Sequence, residues 1–149
     1  MKVSVQREDF DAGLEVKALS KNPKVGAVAS FIGVVREVPM TLEHYAGMTE
    51  REIGRIVEEA KSRWQVMDCS VIHRFGELQP CDQIVLVAVA SAHRGDAFAA
   101  CEFIMDYLKT RAPFWKKEQR AGGAQWVEAR ASDDQAAGRW ELRPGAAKP

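Results

Sequence analysis

The chain of 149 residues is long enough to bury one hydrophobic core and too short for two domains of ordinary size. Hydrophobic residues make up 46% and charged residues 28%, and the 21 basic residues balance 21 acidic ones. This balance excludes the overall basic field of a general nucleic-acid-binding protein. We find neither a signal peptide nor a run of about 18 apolar residues, so we expect a cytoplasmic protein.

The first third of the chain alternates between strand and helix patterns. Residues 3–5 alternate and predict a short strand, and residues 9–19 have Phe10 and Leu14 spaced for one face of an amphipathic helix. Residues 25–35 are rich in β-branched and small residues, which predicts a strand that its neighbours approach closely. Residues 41–45 alternate like a second strand of the same sheet.

The middle of the chain predicts a helix and a buried strand. The helix begins near Gly47, because Thr49 and Glu52 have the spacing of a capping box and apolar residues follow on one face. A strand is predicted at residues 71–75. Residues 84–90 are apolar throughout, as expected for a central strand that is covered on both faces.

After His93 and Arg94, a helix of about four turns is predicted, and it stops before Pro113. Its apolar stripe is formed by Phe98, Cys101, Met105, Leu108 and Ala112. Lys109 falls about 20° from Phe98 on a wheel of about 100° per residue, which places a lysine inside that stripe. A lysine there must reach out to solvent, be paired, or serve a cavity.

The end of the chain contains short polar segments. We predict a basic segment at residues 114–118, a mobile loop at 121–124 and a short strand at 126–130, followed by a last helical turn that ends at Trp140. Residues 143–149 have the composition of a disordered tail, so a single domain is expected to span residues 1–142. The order of elements predicts an α+β domain with a mixed or antiparallel sheet.

Basic side chains stand where predicted elements end. They are Arg36, His93, Arg94, Lys109, Lys116 and Arg130. Arginine forks, imidazole rings and the free N–H groups at a helix start all bind phosphate, and residues 93–96 supply all three. The set predicts a phosphate pocket, whereas each arginine taken alone is better explained as a surface residue beside a strand end.

Two explanations fit Lys109. Desolvation beside other cations favours the neutral amine, which acts as a base or nucleophile, whereas a lysine that reaches solvent near a helix C terminus only complements the helix dipole. Lys116 follows two aromatic residues that would fix its position, and a solvated basic loop explains it equally well. Glu118 is expected to pair with Lys116 or Lys117.

The cysteines and the other histidines predict no chemistry. Cys69, Cys81 and Cys101 form no CxxC pair, so neither a disulfide framework nor a zinc site is predicted. Cys101 is expected to be a small buried hydrophobe. His44 and His73 lie inside strand patterns and are predicted to be structural, and no cluster at metal-ligand spacing is found.

Six segments resemble the catalytic (large) subunit of molybdopterin synthase. In chain order they are FIGVVR (31–36), TLEHYAGMTE (41–50), VIHRFGEL (71–78), SAHR (91–94), FIMDYLKTRAPFWKKE (103–118) and WVEAR (126–130). They cover most of the chain. The resemblance implies an α/β hammerhead-type fold with an additional small antiparallel β-sheet.

The resemblance also implies partners and a reaction. It implies a homodimer that binds a small ubiquitin-like sulfur-carrier subunit at each end, giving a heterotetramer. The carrier's C-terminal tail, charged as a thiocarboxylate, would enter the pocket. The substrate would be cyclic pyranopterin monophosphate (precursor Z), which receives two sulfurs as the dithiolene of molybdopterin. Because the partner supplies the sulfur, neither a cofactor nor a catalytic cysteine is expected.

Residue roles follow from the same resemblance. It makes Lys109 and Lys116 the catalytic lysines. The substrate-binding residues that it implies are Val34, Val35, Arg36, His93, Arg94, Lys109, Lys116, Lys117 and Glu118. The pocket-lining residues are Phe31, Met105 and Arg130. The chain departs from the family at residues 37–40, where a longer polar loop is usual, so a covering role of that loop is not carried over.

Two other functions use the same residues. A Schiff-base enzyme would use Lys109 on a phosphorylated carbonyl substrate, and a non-catalytic module would only dock a ubiquitin-like tail. A requirement for a thiocarboxylated partner would exclude the first function. The presence of both Lys109 and Lys116 argues against the second.

Overall fold

The computed structural model describes residues 1–120, 123–127 and 131–141, with side chains for residues 1–118 and 133–141. This part of the chain forms two four-stranded sheets and four helices. In chain order the elements are β1 (Lys2–Gln6), α1 (Ala12–Leu19), β2 (Ala27–Val34), β3 (Met40–His44), α2 (Met48–Arg63), β4 (Asp68–Arg74), β5 (Gly76–Leu78), β6 (Gln83–Ser91), α3 (Arg94–Thr110), β7 (Phe114–Arg120), β8 (Gly123–Val127) and α4 (Ala131–Gly138). The predicted tail, residues 143–149, lies outside the described residues.

The first sheet has the strand order β1-β4-β6-β2. β1 pairs with β4 in parallel, and the other two pairs are antiparallel. Alternate side chains of the central strand β6 face opposite layers. The layer toward α2 and α3 contains Val85, Val87 and Val89. The layer toward α1 contains Leu86, Ala88 and Ala90. The predicted central strand, covered on both faces, is therefore confirmed.

The second sheet has the order β5-β3-β7-β8, and all its pairs are antiparallel. The prediction that residues 41–45 extend the first sheet is wrong, because β3 pairs with β5 and β7. The basic segment 114–118 lies within β7, and residues 123–124 begin β8 rather than a mobile loop. The predicted α+β fold, a hammerhead-type domain with an additional antiparallel sheet, is confirmed.

Helices α2 and α3 cover one face of the first sheet and meet around Phe103. The Phe103 side chain is fully buried, and its ring centroid lies 5.3 Å from that of Trp64 and 4.8 Å from that of Tyr107. Trp140, which follows α4, contacts the same ring at 5.7 Å. This aromatic cluster joins three helices into one core.

Two predicted helix faces each contain one residue that is wrongly placed, whereas Cys101, Met105 and Leu108 of the α3 stripe are buried as predicted. Phe98 is 65% exposed and Leu14 is 66% exposed, so neither residue lies on a buried face. The buried side of α3 is wider than one stripe, because the helix packs against β2 and β6 on one side and against α2 on another. Its most deeply buried residues are Ala97, Ala100, Phe103, Ile104 and Leu108.

The predicted capping box of α2 is also wrong. The helix begins after Gly47, whose N–H donates to the Glu50 carboxylate at 2.7 Å. Thr49 is buried one position inside the helix, where its hydroxyl donates to the Tyr45 carbonyl at 2.8 Å. Gly47 has φ +82°, a conformation that favours glycine at this turn.

Ion pairs and hydrogen bonds fix the end of α4 to the rest of the fold. Arg139 pairs with Glu102 and Asp106 of α3, and the Trp140 indole N–H donates to Asp106 at 2.6 Å. Arg63 donates to the Trp140 carbonyl.

No helix in the described part of the chain combines the length and apolar character needed to cross a membrane.

Candidate active site

A cavity of about 1050 Å³ lies between the two sheets, beside the C-terminal end of α3. Its walls come from the end of β2 and the turn after it, from β3, β4 and β6, and from the last turn of α3 and β7. Arg36, Lys109 and Lys116 line it from three different parts of the chain. The fold therefore brings together three of the basic residues that the sequence singled out.

The end of β2 is irregular where it borders the cavity. A β-bulge shifts the register between Gly33 and Val34, and a bulge re-aims the residues that follow it. The strand also lies close to β6 here, since a Cβ atom at Gly33 would come within 2.8 Å of the Val85 side chain. The predicted close approach is therefore present at the point where the chain turns toward Arg36.

The turn after β2 is held by the turn before β6. The Val35 N–H donates to the Asp82 carbonyl at 2.9 Å, and the Val35 carbonyl accepts from the Cys81 N–H at 2.9 Å. Glu37 and Cys81 have φ values of +71° and +77°, which residues other than glycine rarely adopt. The short segment 37–40 thus makes a tight turn that presents Arg36 at the rim of the cavity.

Lys109 lies in the last turn of α3 and is exposed in the single chain. Of the two explanations for Lys109, a lysine that reaches solvent near the helix C terminus agrees with this position, and a desolvated amine does not. Neither Lys109 nor Arg36 forms an ion pair with a carboxylate in the part of the chain that the structure describes. Both cations are therefore available to an incoming anion.

Strand alternation separates the two lysines of β7. Lys116 and Glu118 share the face toward the cavity, whereas Lys117 lies on the other face and does not line it. The Lys116 ammonium is 3.0 Å from the Glu118 carboxylate, which is buried. The expected pairing of Glu118 is thus present, and it holds Lys116 in place.

Aromatic contacts hold β7 against its neighbours. The Phe114 ring stacks on His73 with centroids 3.8 Å apart, and the Trp115 ring lies 4.8 Å from that of Tyr45. Of the two explanations for Lys116, a position fixed by aromatic residues agrees with this geometry. A solvated basic loop does not.

His93 and Arg94 lie at the other end of α3. His93 caps the helix and Arg94 is its first residue, and neither lines the cavity. Arg94 and Lys109 are 15 positions apart in one helix, which separates their Cα atoms by roughly 22 Å. A single chain therefore does not bring these residues together, and the predicted convergence would need a second copy. Arg130 lies outside the described residues.

Acidic and basic side chains balance in the described part of the cavity. The basic ones are Arg36, Lys109 and Lys116. The acidic ones are Glu37, Glu118 and Asp133. Apolar side chains supply much of the remaining wall, among them Phe31, Val34, Val35 and Met105. The described wall of one chain therefore carries no excess of positive charge, and a multiply charged anion would need further cations.

His73 lines the cavity, although the sequence predicted only a structural role for it. It is 8% exposed, and its Nδ1 lies 2.9 Å from the Arg74 carbonyl oxygen. Because a carbonyl only accepts hydrogen bonds, Nδ1 carries the proton and Nε2 keeps a lone pair. The sequence gives one indication of this role. His73 lies on the same face of β4 as the buried Val71, where an apolar residue is expected.

Burial lowers the pKa of His73 from 6.5 to about 4. The hydrogen bond to the Arg74 carbonyl opposes this shift, while the charges of Lys109 and His44 add to it. The imidazole is therefore neutral near pH 7.

We expect the free energy of unfolding to fall as the pH is lowered from about 6.5 to about 4. In that range the unfolded chain binds a proton at His73 that the folded chain does not, so protonation favours unfolding. The contribution is roughly 3 kcal/mol at the acid end. Urea unfolding at several pH values measures it, with His73→Gln as the non-titrating control. The same pH dependence in both proteins would contradict the assignment.

The described cysteines are free thiols, and two of them are buried. Burial raises the pKa of Cys69 to about 11 and that of Cys101 to about 12. These two thiols stay protonated near neutral pH, so neither supplies a thiolate. Among the described residues, no three His, Cys, Asp or Glu side chains are grouped to hold a metal ion.

Comparisons with known proteins agree on one family. Residues 5–111 match the family model described as MoaE protein. A molybdopterin synthase catalytic subunit from Ralstonia nicotianae is 60% identical over 148 residues, covering 94% of this chain and 84% of that one. The solved molybdopterin biosynthesis MoaE protein from Burkholderia ambifaria MC40-6 has a TM-score of 0.83 at 53% identity, covering 96% of this chain and 100% of that one.

A more distant structure shares the fold. It is the complex of subunits 1 and 2 of the molybdopterin-converting factor from Helicobacter pylori 26695, with a TM-score of 0.72 at 18% identity. The match covers 86% of this chain and 91% of that one.

The hammerhead-type fold, with a cavity that contains two lysines, is that of a sulfur-transferring enzyme of molybdenum cofactor biosynthesis. The chain belongs to the MoaE protein family. Its activity is that of a molybdopterin synthase catalytic subunit, and the resemblance found in the sequence is confirmed.

Proposed function

We propose that this enzyme transfers sulfur from the thiocarboxylated C terminus of a small ubiquitin-like carrier to cyclic pyranopterin monophosphate, forming the dithiolene of molybdopterin. The observation that carries the proposal is that Arg36, Lys109 and Lys116 line one cavity from separate elements. Cations that surround one cavity stabilise phosphate and thiocarboxylate charges. The carrier supplies the sulfur, so no resident cofactor enters the proposal. The fold also occurs in the two-subunit complex from Helicobacter pylori, which agrees with a small protein partner.

Each basic residue has a proposed role that follows from its position. Lys109 moves protons as the cyclic phosphate opens and water is lost, because its ammonium has no carboxylate partner among the described residues. Lys116, oriented by Glu118, stabilises the thiocarboxylate and the intermediates derived from it. Arg36 holds the phosphate at the rim.

Apolar side chains leave room for a flat ring beside these cations. Phe31, Met105 and the backbone at Val34 and Val35 form the wall that would face the pterin. Lys117 lies on the opposite face of β7, so we assign it no contact with the substrate.

We propose further that two copies of the chain form a homodimer and, with two carriers, a heterotetramer. β2 lies at the edge of the first sheet and pairs only with β6 in the described part of the chain. Phe31, Ile32 and Val34 of this strand are exposed, as is Phe98 on the neighbouring α3. An apolar edge strand of this kind invites pairing, and a second copy would cover it.

A two-fold axis across β2 would also complete the cavity. In the antiparallel register Ala27 lies beside Ser91, close to His93 and Arg94, whereas Val34 lies at the opposite end beside the cavity. In an isologous pair each end of one β2 faces the other end of its partner. The His93 and Arg94 of one copy would then supply the cations that the other copy's cavity lacks.

Mixing two inactive variants is therefore expected to restore about a quarter of the wild-type turnover. One variant carries Lys109→Ala and the other carries Arg94→Ala. Random exchange makes about half of the dimers mixed, and each mixed dimer has one intact cavity and one with both defects. The assay is reconstitution with a thiocarboxylated carrier and cyclic pyranopterin monophosphate, followed by detection of the dithiolene product.

The matched control mixes Lys109→Ala with Lys116→Ala. These residues belong to the same chain's cavity, so every cavity of a mixed dimer keeps one defect and activity stays low. Equal recovery in the two mixtures would contradict a shared cavity, as would no recovery in the first mixture while subunits exchange. Failure of the wild-type chain to form dithiolene from these reactants would contradict the function itself.

A further inference from the structure

We propose that His73 is a further substrate-binding residue, whose neutral imidazole accepts a hydrogen bond through Nε2 from an N–H group of the heterocycle held in the cavity. The inference rests on the proposed function, because a pterin carries N–H donors on the edges of its rings. It adds to the lysines and arginines a residue that recognises the heterocycle rather than the phosphate.

The hydrogen bonds of His73 place Nε2 at the cavity surface. Nδ1 donates a hydrogen bond to the Arg74 carbonyl. His73 makes no other hydrogen bond in the part of the chain that the structure describes. No buried side-chain nitrogen or oxygen among the described residues lacks a partner. The unpartnered Nε2 is therefore not sealed inside the protein. His73 lines the cavity, so its accessible surface is there.

The ring around this lone pair is held in one orientation. It stacks on Phe114 with an angle of 19° between the planes, and the bond to the Arg74 carbonyl fixes its rotation. A binding group that is already oriented loses little entropy when a ligand arrives. The same contacts fix the tautomer, so the ring offers an acceptor to the cavity rather than a donor.

The charges near His73 favour a neutral acceptor over a proton-carrying base. Lys109 and His44 both oppose a positive charge on the ring, and burial acts in the same direction. A group that resists protonation near pH 7 is a weak base, but its lone pair still accepts hydrogen bonds. His73 thus suits recognition of an N–H donor, whereas Lys109 suits proton transfer.

The cavity wall that includes His73 is partly apolar. Ile84, Val85 and Leu108 line the cavity together with His73, and an N–H group bound among apolar side chains without an acceptor costs free energy. Among the described lining residues, His73 supplies the only neutral nitrogen acceptor. The carboxylate of Glu118, by contrast, is engaged with Lys116.

The test compares His73→Asn with His73→Gln. The amide of Asn reaches only the position of Nδ1 and keeps the bond to the Arg74 carbonyl, whereas the amide of Gln reaches the position of Nε2. We expect Asn to raise KM for cyclic pyranopterin monophosphate about 10- to 100-fold with a smaller change in kcat. We expect Gln to stay within about threefold of the wild-type KM. A purely structural role predicts the opposite order, with Asn the better substitute.

A binding measurement separates the heterocycle from the phosphate. Calorimetric titration with inorganic phosphate should give equal affinities for the wild type and His73→Asn, and a lower affinity for Arg36→Ala. Should the Asn variant fail to fold, His73→Phe takes its place, because it keeps the stacking on Phe114 and has no Nε2.

Three results would overturn the inference. They are a wild-type KM in folded His73→Asn, an equal loss in the Asn and Gln variants, and a loss of phosphate affinity in the Asn variant. Each of them presupposes a wild-type enzyme that makes dithiolene, so an inactive wild type would instead refute the proposed function.

Discussion

Replacing Lys109 by alanine is expected to lower the rate of dithiolene formation by about 10²- to 10⁴-fold. Lys109 ends α3 at the cavity and has no carboxylate partner in the described part of the chain. Its loss removes both a proton-transfer group and a positive charge beside the reacting atoms. Single-turnover kinetics with excess enzyme and thiocarboxylated carrier measure the chemical step directly.

Two control variants make this result specific. Lys17→Ala removes an exposed lysine from the last turn of α1, a matched position outside the cavity, and should leave the rate unchanged. Lys109→Arg keeps the charge and removes an amine that can lose its proton, so it should recover little activity if proton transfer is the main role. A wild-type rate in Lys109→Ala would remove the residue from the mechanism.

Phe103→Ala is expected to destabilise the fold by about 3–5 kcal/mol. The ring is fully buried and contacts the rings of Trp64, Tyr107 and Trp140, and the Arg63 guanidinium lies 4.8 Å from its centroid. Alanine leaves a cavity where three helices meet. Thermal unfolding should show Tm lower by about 10 °C or more.

Leu14→Ala is the control for this substitution. Leu14 is also a large apolar residue on a helix, but it is exposed, so its loss should change the free energy of unfolding by less than about 0.5 kcal/mol. Similar losses of stability in the two variants would show that the Phe103 cluster does not hold the helices together.

The strands and helices with strong local patterns could be predicted from the sequence. β6 is a continuous apolar run, and the start of α3 follows from His93 and the residues after it. The second sheet could not be predicted in the same way. Its central pair joins Met40–His44 to residues 114–118, which are far apart in the chain. The alternation of side chains within a strand does not show which other strand it pairs with.

Part of the candidate site could be predicted from the sequence, but its arrangement could not. Arg36, Lys109 and Lys116 were recognised because they stand where elements end, and they do share a cavity. The sequence places Phe98 in the core, but the side chain is exposed. An apolar residue on the surface cannot be told from a buried one by residue type alone. His73 was missed as a cavity residue, since the direction of a lone pair depends on tertiary contacts.

The short connection between α3 and β7 constrains how the chain can vary. Only residues 111–113 separate the helix of Lys109 from the strand of Lys116, and Arg111 is anchored to Glu52 and Glu59 of α2 at 3.3 and 3.0 Å. One inserted residue in this link would shift β7 by one position, so that each side chain moves to the opposite face of the strand. Lys117 would then face the cavity, and Lys116 would face away from it. The length of this link therefore sets the relative position of Lys109 and Lys116. We expect chains of this fold that keep both lysines to keep a link of the same length.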